Sequence, residues 1–156
     1  GAGLCAALGV PRVAAGALNR VCLHLAPVAA IVLAAYPYAK RVTWAPHAVL
    51  GLAQTIGPIG AWMAVTGHWS WTAVVLGLAV GCWIGGFDII YALQDYDFDV
   101  KASIYSLPKA LGKARALLIS RLMNALMIAL LIRRGMSYGL HGLYFFGIAV
   151  VAALFF

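Results

Sequence analysis

The stretch FDIIYALQDYDFD, residues 87–99, holds Asp88, Asp95, Asp97 and Asp99, which are all the acidic residues in a chain of 156. On one continuous helix, at about 100° per residue, Asp95 and Asp99 lie about −20° and about +20° from Asp88, and Asp97 about 180° away. Three carboxylates then share a stripe, and Asp97 is left as a solvated or structural partner. Asp95 and Asp99, ~6 Å apart along the axis, repel each other unless a cation sits between them. Oxygen-only ligands suit Mg²⁺, which keeps several waters and takes phosphate oxygens into its shell. Asp88 stands in the apolar end of the preceding run, where an ionisable group is costly and marks a functional candidate. The plainer reading, that these acids cap a loop and balance nearby lysines, leaves unexplained why the rest of the chain has none.

The elements that carry them must lie in lipid. With 65% hydrophobic residues, 10% charged and a mean hydropathy of +0.97, no water-soluble domain of this length hides its apolar surface in one core. The apolar runs do not alternate as barrel strands do, so the expected fold is all-α, a polytopic transmembrane helical bundle. A span needs ~20 apolar residues. Four crossings are expected in a single transmembrane domain, at about 18–39, 45–66, 71–94 and 114–132, with partial helices at both ends. Val42 to Phe87 is a run of 46 residues without a charge, enough for two of these, with the turn at TGHWSW. The chain starts at Gly1 and stops at Phe156 inside an apolar run. It is therefore expected to be an internal piece of a longer membrane protein, inactive by itself.

A net charge of +7 suggests nucleic acid in a soluble protein, but here the basic residues flank apolar runs as membrane anchors do, so no nucleic-acid partner is expected. Cys5, Cys22 and Cys82 have no ligand-like spacing and read as packing residues. Lys40, Arg41, Lys101, Lys109, Lys113 and Arg115 fall on the aspartate side, and Arg12, Arg20, Arg133 and Arg134 on the other. This excess favours the cytoplasm for the aspartates, in an integral, multi-pass protein of a bacterial inner membrane. YPYAKR sets Tyr36 and Lys40 one turn apart with Arg41 beside them, able to reach a phosphate or carboxylate, although residues of these types at a helix end are commonly plain anchors. His24, His47, His68 and His141 show no pairing at helical spacing and read as interfacial or core residues. Arg121 and Asn124 share a helical face, pointing inward or, for the arginine, snorkelling.

FDIIYALQDYDFDVKASIYSLPKALG resembles the second aspartate-rich region of the UbiA-type membrane aromatic prenyltransferases. The D-x-x-x-D motif falls on Asp95 and Asp99, the preceding D-x-x-Y-A on Asp88 to Ala92, and the family's Y-x-x-x-K region on Tyr36 and Lys40. WAPHAVLGLAQTIGPIGAWMAVTG also matches, so the resemblance covers nearly the whole chain. It implies helices four to seven of a nine-helix fold, with Asp95 and Asp99 as ligands of Mg²⁺. It also implies a first motif, N-x-x-x-D-x-x-x-D; no acid precedes Asp88, so that motif is expected upstream of Gly1, the alternative being an inactive protein. Ser103 departs from a common glycine, and Ser106 of YSLP matches a family position that caps a helix or touches diphosphate.

The implied activity is transfer of a polyprenyl group from its diphosphate to an aromatic acid such as 4-hydroxybenzoate, in quinone biosynthesis. Lys40 or Arg41 would orient the acceptor carboxylate or the departing diphosphate, and Asp88 would order the metal shell or help remove the ring proton. A naphthoate acceptor of a menaquinone route is the alternative within the same chemistry. An ion-coupled transporter is the alternative from another class, but the inverted repeats and broken helices it calls for are not seen in the sequence. The D-G-x-x-A-R opening of the CDP-alcohol phosphotransferases is likewise missing.

Overall fold

The computed structural model describes Val13, Gly16, Ala17 and residues 20–101 and 105–156, leaving aside the side chains of Val21, Cys22, Leu33, Ala35, Tyr36, Pro37 and Lys40. From Arg20 onward, seven helices follow one another among the described residues: α1 (Arg20–Val42), α2 (Pro46–Thr66), α3 (Trp71–Gln94), α4 (Tyr96–Lys101), α5 (Leu107–Leu111), α6 (Lys113–Ser137) and α7 (Gly142–Phe155). There is no strand among the described residues. The all-helical class expected from the sequence holds. Helices α2, α3 and α6 are long and apolar enough to cross a membrane, while α1 and α7 carry the shorter apolar stretches Leu23–Val32 and Gly142–Phe155.

Local chemistry sets the ends of these helices. Pro46 opens α2, where its missing N–H costs nothing. Gly67 closes it with φ 69°, donating its N–H to Met63 O at 2.9 Å, in the left-handed conformation that glycine tolerates best. Ser70 caps α3 by accepting the Thr72 N–H at 3.1 Å. Pro108 sits in the first turn of α5, and Gly112, at φ 86°, separates α5 from α6.

Helix α3 is central, packed between α2 and α6, with α1 on the outer side of α2 and α7 against α6. Its approach to α2 is backbone on backbone. A Cβ on Gly77 would meet Thr55 O at 2.6 Å, one on Gly81 would meet Gly51 O at 2.6 Å, and one on Gly51 would meet Gly81 O at 2.6 Å. Lipid tails are as apolar as leucine, so helices in a bilayer associate by such close packing of small residues. Gly85, one turn further, lies where three helices converge: its missing Cβ would meet Met123 Cε at 2.7 Å and His47 O at 3.1 Å. Gly86 faces α6, where Ser120 Oγ donates to its carbonyl at 2.7 Å.

The two ends of the α3–α6 seam differ in chemistry. At one, Ile89, Leu107 and Ala116 form a buried core that Leu93, Leu111, Ile119 and Met123 extend, and this core seats α5. At the other, an Arg134 Nη2 donates to Thr72 Oγ1 and, at 2.7 Å, to Tyr138 OH, with the guanidinium 4.3 Å from the Tyr138 ring centroid. Trp69 and Trp71 are exposed beside that second end, as aromatic residues at a membrane interface commonly are.

Candidate functional site

The close α2–α3 approach dictates the first contact. With His47 in the opening turn of α2 and its carbonyl against Gly85, the residue one turn past Gly85 comes within reach, and that residue is Asp88. His47 Nδ1 lies 2.7 Å from Asp88 Oδ2. The histidine is 2% exposed and the aspartate 19%. The other ring nitrogen, Nε2, accepts the backbone N–H of Leu107 at 3.4 Å. An accepting nitrogen carries no proton, so this network assigns the Nδ1–H tautomer, donating to the carboxylate. Reading His47 as a bland core or interfacial residue missed this contact. The available signal was its place on the first turn of one span, opposite an acid near the end of the next.

Asp95 and Asp99 follow at the end of α3. The helix stops at Gln94 and α4 begins at Tyr96, so the acidic stretch is not one uninterrupted helix. Helical hydrogen bonding nevertheless continues across the break, from Asp95 N to Tyr91 O at 3.1 Å and from Asp99 N to Asp95 O at 2.9 Å, leaving the two residues one turn apart. Asp95 and Asp97 are exposed, whereas Asp99 is buried at 8% exposure. No group of three or more His, Cys, Asp or Glu side chains that could hold a metal ion occurs among the described residues. The expected stripe is thus divided: Asp88 is engaged by His47, and Asp95 and Asp99 follow one turn apart, the first exposed and the second buried. Two carboxylates one turn apart suit a Mg²⁺ ion that completes its shell with water and phosphate oxygens.

Basic groups gather at the same end. Lys109 Nζ donates to the Asp99 carbonyl at 3.5 Å, and Lys113 Nζ lies 4.3 Å from the Tyr96 ring centroid. Arg41 is exposed at the end of α1; the side chains of Tyr36 and Lys40, and residue Ser103, lie outside the described residues. Ser106 precedes α5 but makes no side-chain capping bond. Its Oγ is buried without a partner among the described residues, as is Asn124 Oδ1. Arg121 is exposed where Asn124 is buried, so the two do not present one inward face.

An apolar groove of about 390 Å³ runs between α3, α6 and α7, lined by Leu76, Ala79, Trp83, Phe87, Met127 and Phe155 among others. Its α3 lining reaches Phe87, the residue before Asp88. From Leu76 to Phe87 the helix rises ~16 Å. The groove therefore lies along the bundle, and its α3 lining ends about two turns short of Asp95.

These features define an integral membrane helical protein with a carboxylate-rich site at one end of its central span. The profile of the UbiA prenyltransferase family matches residues 1–156. The chain belongs to that family. It is 37% identical over 145 residues to a 4-hydroxybenzoate octaprenyltransferase of Chromohalobacter salexigens, an alignment covering 89% of this chain and 48% of the relative. A 4-hydroxybenzoate octaprenyltransferase of Pseudomonas fluorescens is 36% identical over 127 residues, covering 81% of this chain and 43% of the relative. The apo structure of a UbiA homolog from Aeropyrum pernix K1 superposes with a TM-score of 0.84 at 32% identity, covering 96% of this chain and 57% of that one. The chain spans about half the length of the curated relatives it matches.

Proposed function

We infer that this chain is part of a Mg²⁺-dependent enzyme that moves a polyprenyl group from polyprenyl diphosphate to the ring of an aromatic acid, with 4-hydroxybenzoate as the favoured acceptor. Family membership and the names of the relatives support the reaction. The observation that carries the reading to particular residues is the Asp95–Asp99 pair, one turn apart just past the end of the central span, with an apolar groove along that span ending at Phe87, about two turns short of Asp95.

In this reading Asp95 and Asp99 hold Mg²⁺, which when bound neutralises charge on the diphosphate as the allylic C–O bond breaks. The groove takes the isoprenoid chain and keeps water from the electron-poor carbon left behind. The ring forms the new C–C bond and gives up a proton, and Asp88, partly exposed and held by His47, would orient the metal shell or accept that proton. Lys40 and Arg41, at the end of α1, would steer a carboxylate or the departing diphosphate. Arg41, Lys101, Lys109, Lys113 and Arg115 lie at the aspartate end, which favours the cytoplasmic side of a bacterial inner membrane.

Membranes carrying the complete chain, given labelled polyprenyl diphosphate and 4-hydroxybenzoate, are expected to form prenylated product only with Mg²⁺. Asp95→Asn should lower the rate by about 100-fold or more, the scale of losing a group that stabilises transition-state charge. Folded wild type that prenylates neither this acid nor a naphthoate would refute the assignment.

A further inference from the structure

Deepening the prenyl-transfer reading, on which it rests, we propose that His47 is a positioning residue for the reaction. One ring nitrogen orients Asp88, and the other anchors the start of the segment that leads back to Asp99.

Both nitrogens of the imidazole are committed. Nδ1 donates to Asp88 Oδ2 at 2.7 Å, and Nε2 accepts from the Leu107 amide at 3.4 Å. At 2% exposure the ring has no water to replace either partner, and losing one leaves a buried polar group unpaired. It joins three segments far apart in sequence: the first turn of α2, the last two turns of α3 and the first residue of α5. From α5, Lys109 Nζ reaches the Asp99 carbonyl. The ring therefore stands between the carboxylate near the acceptor step and the turn that carries a proposed metal ligand. Its neutral tautomer also defines its part. A ring whose Nε2 receives an amide hydrogen and whose Nδ1–H is held by a carboxylate gives no proton to the reaction and takes none from it. It sets where Asp88 points, and misplacing such a group by about 1 Å costs on the order of 100-fold in rate.

The test is steady-state prenyl transfer by the complete chain in membranes, with polyprenyl diphosphate, 4-hydroxybenzoate and Mg²⁺, comparing wild type, His47→Gln and His47→Phe. Glutamine supplies an N–H for Asp88 and a carbonyl for Leu107, whereas phenylalanine fills the space with neither. His47→Gln is expected to keep its rate within about threefold. His47→Phe should lose about 10- to 100-fold in kcat, with both KM values within about threefold. A folded His47→Phe as active as wild type would overturn the proposal. So would His47→Gln falling as far as His47→Phe, since proton chemistry of the ring would then be essential. The ¹⁵N spectrum of wild type labelled at histidine gives a readout independent of turnover: Nδ1 protonated and Nε2 bare is expected, and a protonated Nε2 overturns the assignment. Wild type lacking transfer refutes the prenyl-transfer reading alone, because the spectrum still reports on His47.

Discussion

Asp99 and Asp97 are two residues apart, chemically identical and opposite in setting. Asp99 is nearly buried at the turn that Lys109 ties down, and Asp97 is exposed. Asp99 stands one turn from Asp95 and Asp97 does not, which is why the proposed metal pairs Asp95 with Asp99 and omits Asp97. Asp99→Asn is expected to cut prenyl transfer by at least about 100-fold and to raise the Mg²⁺ concentration for half-maximal rate. Asp97→Asn should stay within about twofold. A Mg²⁺ titration of both variants checks this, and equal losses would count against the pairing. Asp88, Asp95 and Asp99 stand out in the sequence as a candidate site because, with Asp97, they are the only acids in the chain and because these three follow helical spacing. His47 does not. A lone histidine in an apolar run looks the same whether it packs or pairs, and its partner lies 41 positions away, brought near only by the antiparallel packing of α2 on α3.

Among the elements, the α2–α3 seam decides where that partner sits. Gly77 and Gly81 let the two backbones touch, since an added carbon at either would strike the Thr55 or Gly51 carbonyl at 2.6 Å, whereas at Gly85 it would first meet the movable end of Met123. Gly81→Ala is expected to destabilise the protein by about 1–3 kcal/mol, as overpacking does. It should also lower activity by shifting His47 from Asp88, although it lies almost two turns from the acid. Gly60→Ala, with nothing within 4 Å of its added carbon, should leave stability unchanged or raise it by about 0.5–1 kcal/mol. Thermal melts of both variants in detergent, alongside transfer rates, separate the two cases. That the chain is helical and crosses a membrane could be read from its long apolar runs. Which faces meet could not, since glycines at every fourth position promise a close approach without naming the helix that makes it.

At the scale of the whole molecule, α3, α6 and α7 line an open apolar groove that runs along the central span as far as Phe87, the residue before Asp88. Ala79, 2% exposed and on its wall, is the place to narrow it. Ala79→Phe is expected to raise KM for a long polyprenyl diphosphate about tenfold or more while changing KM for a two-isoprene donor less, the loss being apolar contact along the chain. Equal effects on both donors would mean that the tail lies elsewhere. The groove was not visible in the sequence, because its lining comes from α3, α6 and α7 and each contributes ordinary apolar residues.

The seam between α3 and α6 is fastened at one end by Ser120 on the Gly86 carbonyl and at the other by Arg134 on Thr72 and Tyr138. The segment from Asp95 to Gly112 therefore runs between two anchored posts, and most of the entropy of closing that loop is already spent when the helices pair. Its exposed positions can vary with little effect on whether the bundle assembles, whereas Leu107 belongs to the buried core and Leu111 packs against it.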